Sequence, residues 1–323
     1  MKALSVFSGG LDSMLAAGLI RAQGIDVLAL FFETPFFTGE RAEKSARLMN
    51  LPFKRVDMTA QHLNIVRNPR HGYGENMNPC IDCHALMARM AGEMLRNEQA
   101  HFVITGEVLG QRPMSQNRKS LDLVAVESGL NNLLLRPLSA KCLAPTIPEA
   151  EGWVERDALM GIQGRSRKPQ MELAALLNIT DYPAPAGGCM LTEKGFSRRL
   201  QDLLAFKTHI DPNDLGLLKL GRHFRITPET KVVVGRNKWE NMQISGLCKR
   251  EDATLNSLLV PGPTVLVSGA LSADALNLAA AITTAYSDTP ESGVNAVQVV
   301  DSKETRLMRT EIRDKKDFRC YMI

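Results

Sequence analysis

The first half of the chain alternates short, almost wholly apolar runs with longer stretches whose apolar residues recur every three or four positions. Residues 2–7, 26–32, 53–57, 101–105 and 133–138 read as buried strands. Between them Leu11, Met14, Leu15 and Leu19 fall at helical spacing, residues 41–50 read as a charged helix, and residues 87–96 sit within a longer one. Strands separated by helices predict an α/β fold, a Rossmann-like parallel sheet with helices on both faces. Ligands of such sheets bind beyond the carboxyl ends of the strands. Segments 8–13, 33–37 and 106–111 each follow a strand, so they are expected around one cleft.

Residues 153–204 read as mainly helical, with a Pro/Gly-rich break at 182–188. Asp-Pro-Asn-Asp at 211–214 then interrupts the pattern. Beyond it, 224–226, 231–234, 264–267, 297–300 and 310–312 read as strands and 273–286 as a helix of small residues. The expected organisation is therefore one domain over 1–210 and a smaller α+β domain over 211–323. A length of 323 residues suits two domains, and 44% hydrophobic with 23% charged residues is ordinary globular composition. A net charge of +4 permits a polyanionic partner without demanding one. No apolar run approaches a membrane span and no signal peptide is visible, so a cytoplasmic protein with no membrane partner is expected. Six cysteines in that setting point to metal or catalytic chemistry rather than to disulfides.

The most informative string is Ser8-Gly9-Gly10-Leu11-Asp12-Ser13, directly after the first strand. Two glycines let the backbone turn tightly and approach an anion, and the amides that open the next helix face it. Ser8 and Ser13 add hydroxyl donors, and Asp12 suits Mg²⁺ held against phosphates. The lysine of a Walker A loop is absent.

A second constellation is Cys80-Ile81-Asp82-Cys83-His84, entered through Pro79, with Cys189 far downstream behind Gly187 and Gly188. Proline suits a helix start, and a helix N-terminus favours thiolate. Three functional readings stand side by side. The thiols could ligate an iron–sulfur cluster with one iron open. They could form a persulfide pair, one sulfur carried and one resolving it. They could bind zinc with His84 as fourth ligand, although its adjacency to Cys83 strains a tetrahedron. Buried inert cysteines are the bland alternative. Cys142, Cys248 and Cys320 receive no role.

Thr105-Gly106-Glu107-Val108-Leu109-Gly110-Gln111, then Ser115-Gln116 and Leu135-Arg136-Pro137-Leu138, complete the set. With the loop at 8–13 they resemble tRNA 4-thiouridine synthases of the ThiI type, over about the first two hundred residues. The loop itself resembles that of PP-loop ATP pyrophosphatases, which share an adenine nucleotide α-hydrolase-like fold. The resemblance implies ATP-dependent adenylation of a uridine carbonyl oxygen in tRNA, release of pyrophosphate, and displacement of AMP by sulfur. It implies that Ser8, Gly9, Gly10, Leu11, Asp12 and Ser13 grip ATP and Mg²⁺, with Gly106, Glu107 and Gln111 near the nucleotide or the target base. The C-x-x-C with one downstream cysteine is similar to cluster-dependent tRNA thiolases. In those enzymes three cysteines, here Cys80, Cys83 and Cys189, hold a [4Fe-4S] cluster. Asp12 and the three cysteines are thus the expected catalytic residues, and sulfide or a sulfur-donor protein the expected sulfur source. The RNA-binding region that precedes the loop strand in long synthases, and their rhodanese domain, are not seen, and residues 146–149 do not match their catalytic cysteine.

The basic run Gly164-Arg165-Ser166-Arg167-Lys168, together with Arg112, suits either phosphate contact or a solvated helix start. In the C-terminal domain the stretch Val234-Gly235-Arg236-Asn237 resembles a domain of ribosome-associated RNA-binding proteins. RNA binding is expected there, with packing or homodimer formation as the alternative. Three functions compete: a tRNA uridine sulfurtransferase forming 4-thiouridine or 2-thiouridine, an amidating or lysine-adding PP-loop synthetase, and a non-catalytic RNA-binding factor. The cysteine trio and the intact Asp12 favour the first.

Overall fold

A computed structural model describes residues 1–182, 189–290 and 292–323. The chain divides into two compact units, Met1–Thr192 and Glu193–Ile323.

The first unit contains five strands, β1 (Lys2–Val6), β2 (Asp26–Glu33), β3 (Phe53–Asp57), β4 (Phe102–Thr105) and β5 (Leu134–Leu135). Its helices are α1 (Leu11–Arg21), α2 (Glu40–Leu48), α3 (Thr59–Arg67), α4 (Cys80–Met94), α5 (Arg118–Glu127), α6 (Ile147–Ala150) and α7 (Lys168–Leu176). The strands pair in parallel in the order β3-β2-β1-β4-β5. Both faces are covered. Ala3, Ala29, Phe31, Ile104 and Leu135 point into one core, and Leu4, Leu28, Leu30, Val103 and Leu134 into the other. This two-sided burial explains why the central strands read as continuous apolar runs rather than as alternating ones. The α/β expectation is met. The order changes direction between β1 and β4, so the loops leaving these two strands flank the switch point where such sheets bind ligands. Less of 153–204 is regular α-helix than the spacing suggested, since short 3₁₀ turns and loops precede α7. The break at 183–188 lies outside the described residues.

The second unit contains α8 (Lys194–Phe206), α9 (Pro212–Leu217), α10 (Lys238–Gly246) and α11 (Ala273–Ala285). Its strands are β6 (Arg222–Thr227), β7 (Thr230–Val234), β8 (Ala253–Ser257), β9 (Val265–Gly269), β10 (Val294–Val300) and β11 (Thr305–Glu311). They form one antiparallel sheet, β11-β10-β8-β9-β7-β6. Alanines of α11 pack on it, with Val232, Val265, Val267 and Val297 beneath. Here the unit begins before α8, whereas the sequence suggested a division at 210. Asp202 of α8 explains the difference: it accepts hydrogen bonds from Arg225 of β6 at 2.9 and 2.8 Å and from Lys231 of β7 at 2.8 Å. Among the described residues no helix is long and apolar enough to cross a membrane.

Candidate active site

The loop after β1 is held by its backbone. Gly9 adopts φ +71°, and a Cβ there would lie 2.5 Å from Ala42 Cα of α2. The Ser45 hydroxyl of α2 donates to the Gly9 carbonyl at 2.8 Å. Gly10 is the N-cap of α1 and supplies no side-chain cap, so the amides opening the helix are not capped from that position. The Ser13 hydroxyl donates to the Gly10 carbonyl at 2.8 Å and stands 3.4 Å from the Ser8 hydroxyl. Leu11, placed in this loop by the sequence reading, buries its side chain with Leu15, Val108 and Leu138. Only its backbone is left for a ligand.

Gly106, at the end of β4, touches the same point. A Cβ on it would lie 2.5 Å from Ser13 N and 2.6 Å from the Asp12 carbonyl carbon. The strings at 8–13 and 105–111 therefore meet backbone to backbone. Gln111 closes the contact by donating from Nε2 to Asp12 Oδ2 at 2.8 Å. The other oxygen, Asp12 Oδ1, is buried without a hydrogen-bond partner. An orphaned carboxylate oxygen in a phosphate loop suits a hard cation such as Mg²⁺. The basic run is also close by: Gly164 N donates to the Leu109 carbonyl at 2.7 Å, which places the run beside this loop.

Glu107 sits behind the loop rather than in open space. It is 6% exposed, accepts from Arg136 Nε at 2.8 Å and from the Thr105 hydroxyl at 3.0 Å, and lies 2.7 Å from His84 Nδ1. Burial works to raise its pKa, but the Arg136 charge and the His84 hydrogen bond outweigh burial and hold the carboxyl well below the usual range. An ionised carboxylate only accepts, so His84 Nδ1 carries the proton in this pair. His84, weighed above as a zinc ligand, has this nitrogen occupied by Glu107.

The thiols come from three places. Cys80 opens α4 and accepts from Asn78 Nδ2 at 3.2 Å. Cys83 lies one turn on and is buried. Between them Asp82 receives the His71 amide at 3.0 Å and stands 2.7 Å from His71 Nδ1, which pins the preceding loop. Cys189 arrives on a distant segment anchored by Met190 N to the Phe36 carbonyl at 3.3 Å, and by Asn76 Nδ2 to the Thr192 carbonyl at 2.9 Å. Its neighbours Gly187 and Gly188 lie outside the described residues. Burial raises the Cys83 thiol well above its ordinary value, and the charges of Cys189, Cys80 and Asp82 add to the effect. Burial likewise pushes Cys189 up to about 12, partly opposed by the Leu191 amide, with Cys80 adding to the rise. The three sulfurs thus share one electrostatic environment. The expectation that a helix N-terminus favours thiolate is overridden at Cys83, because desolvation is the larger effect there. Thiols held this high stay protonated at neutral pH until positive charge enters. Among the described residues, no three His, Cys, Asp or Glu stand in metal-holding geometry. What suits a cluster is the chemistry of the donors, three soft sulfurs, and not a preformed geometry.

Two features had no sequence signal of their own. Gln170 of α7 reaches the nucleotide loop, as taken up below. His62 of α3 is 1% exposed with neither ring nitrogen hydrogen-bonded. It packs edge-on to Phe36 and Phe37 at 5.5 and 5.8 Å, and burial pushes its pKa down to about 4.

Comparison with known proteins divides along the same line as the fold. Residues 1–141 match the family model described as thiamine biosynthesis protein (ThiI), and residues 221–322 match that of the NFACT protein RNA binding domain. A probable tRNA sulfurtransferase of Geobacillus kaustophilus is 29% identical over 141 residues, covering 42% of this chain and 34% of the relative. One from Staphylococcus saprophyticus is 30% identical over 145 residues, covering 42% and 34%. The chain thus spans about a third of the length of these curated relatives. A crystal structure of a 4-thiouridine synthetase–RNA complex with bound ATP aligns at TM-score 0.38 and 19% identity, over 68% of this chain and 52% of that one. The first part of the chain is therefore similar to ThiI-type PP-loop tRNA sulfurtransferases, and the last part to an NFACT RNA-binding domain.

Proposed function

We propose that the protein is an ATP-dependent tRNA sulfurtransferase that forms 4-thiouridine. The observation that carries this reading is the backbone contact of Gly106 with Asp12 and Ser13, which makes two separate strings one site, with Cys80 and Cys83 on α4 of the same unit. In the proposed reaction the uridine carbonyl oxygen attacks the α-phosphorus of ATP and pyrophosphate leaves. Sulfur then attacks the same carbon, and the C–O bond breaks with AMP as the leaving group. The amides at the start of α1 and the Ser8 and Ser13 hydroxyls bind phosphate oxygens. Asp12, through its free Oδ1, would hold Mg²⁺, which supplies charge neutralisation at the phosphates. Cys80, Cys83 and Cys189 would hold a [4Fe-4S] cluster, whose chemistry is to bind the sulfur to be transferred. The second unit and the 164–168 run would take tRNA, their arginines and lysines neutralising its phosphates.

The test uses protein prepared without oxygen and reconstituted with iron and sulfide. It is incubated with unmodified tRNA, Mg-ATP and sulfide, and the digested nucleosides are identified by mass spectrometry. ATP-dependent 4-thiouridine with stoichiometric AMP is expected. 2-Thiouridine would move the target atom, and ATP cleavage with no thionucleoside would overturn the reading. Activity with sulfide that survives without iron would favour direct attack by free sulfide, whereas a persulfide on the same cysteines would need a sulfane-sulfur donor such as a protein persulfide in place of sulfide.

A further inference from the structure

We propose that Gln170 is a positioning residue that fixes, through Gln111, which oxygen of Asp12 faces the metal of the nucleotide. This rests on the reading that Asp12 holds Mg²⁺. Gln170 lies in the first turn of α7 and is 0% exposed. Its Nε2 donates to Gln111 Oε1 at 3.2 Å, and Gln111 Nε2 donates to Asp12 Oδ2 at 2.8 Å. α7 is seated for this by Leu173 and Ala174, which pack with Leu15 and Leu19 of α1. The loop before α7 is held as well, by Gly164 N on the Leu109 carbonyl at 2.7 Å.

The relay has a direction. An ionised Asp12 accepts only, so Gln111 must present its amide nitrogen to it. Its amide oxygen then points the other way and needs a donor. Gln170 supplies that donor from a site closed to water, and so prevents the Gln111 amide from turning over. One Asp12 oxygen is thereby occupied, and the buried, unpartnered Oδ1 is reserved for the cation. Without Gln170, Gln111 is free to present its oxygen to the carboxylate, and like partial charges would turn Asp12 away from its cation-binding pose.

The experiment measures Mn²⁺ binding by the signal of free Mn²⁺ in electron paramagnetic resonance, with an ATP analogue whose α–β bridge is not cleavable. Melting temperatures are recorded beside it. Gln170→Leu and Gln170→Met each remove the donor, the second with a side chain of nearly the same length. Both are expected to weaken Mn²⁺ binding by about tenfold, as for loss of a buried hydrogen bond that leaves its partner unsatisfied. A packing role alone would spare Gln170→Met. Unchanged Mn²⁺ affinity in Gln170→Met, whatever happens to the melting temperature, overturns the proposal. Asp12→Ala separates the two levels: if it binds Mn²⁺ as the parent does, the metal reading itself fails.

Discussion

The loop after β1 and the three thiols stand in the same unit and are built in opposite ways. The loop is a backbone object. Gly9 and Gly106 are pressed against Ala42, Asp12 and Ser13 so closely that a single Cβ has no room. The thiols are side-chain objects, two on one helix turn and the third on a segment hydrogen-bonded to Phe36 and Asn76. A backbone site offers fixed amides to an unvarying ligand such as phosphate. A side-chain site lets chemically distinct groups arrive from distant parts of the chain, and it depends on how those parts dock.

The sharpest way to break this contrast is one substitution on each side. Gly106→Ala places a carbon 2.5 Å from Ser13 N and pushes the helix start out of line. ATP-dependent AMP formation is expected to fall by about 100-fold or more, as misplacement of reacting groups does. Cys189→Ser is expected to leave AMP formation intact and abolish thionucleoside, read from the same digests. If both variants lose AMP formation alike, the two sites are not separable.

Stability sharpens the comparison further. Glu107→Ala strands the buried Arg136 charge and frees His84. Breaking a buried pair from one side lowers stability by about 3–5 kcal/mol, measurable by urea unfolding. The smallest effect concerns pH. His62 is buried neutral with its pKa pushed down to about 4 from 6.5. Between these values the unfolded chain binds a proton that the folded chain refuses, so stability falls as pH falls through that window. The loss amounts to at most about 3 kcal/mol by pH 4. His62→Leu is expected to flatten the pH dependence of the melting temperature there. His223 in the second unit, also buried, keeps its own contribution in the same direction. Glu107 acts in a lower window: below about pH 4.5 the unfolded chain takes up a proton that the folded carboxylate refuses, so its contribution is lost as pH falls further.

The contrast also explains what could be read in advance. The central strands, α1 and the loop at 8–13 were legible because apolar runs and glycines are local signals. That Cys189 bears electrostatically on Cys83 could be guessed only from resemblance, since the docking of 189–192 on Phe36 and Asn76 leaves no periodicity. Gln170 was invisible for a related reason: a polar residue in a short helix looks solvated until its neighbour across space is known. Glu107 was expected near the nucleotide or the target base. Its string is distinctive, but nothing local reports that Arg136 and His84 enclose it. In the second unit β11 was shortened to 310–312 because Arg306 and Arg309 interrupt its apolar pattern. It is an edge strand whose alternate residues face solvent, where charge is tolerated.

Arg136, Glu107 and His84 form one hydrogen-bonded chain, from the string at 135–138, through the loop after β4, to the residue next to Cys83. Mechanically it is a strut of three side chains joined end to end by hydrogen bonds. A displacement of any one of the three is passed to the other two, so the helix turn that carries Cys83 and His84 moves with the loop after β4. The strut thus ties together the local stability of segments far apart in the chain.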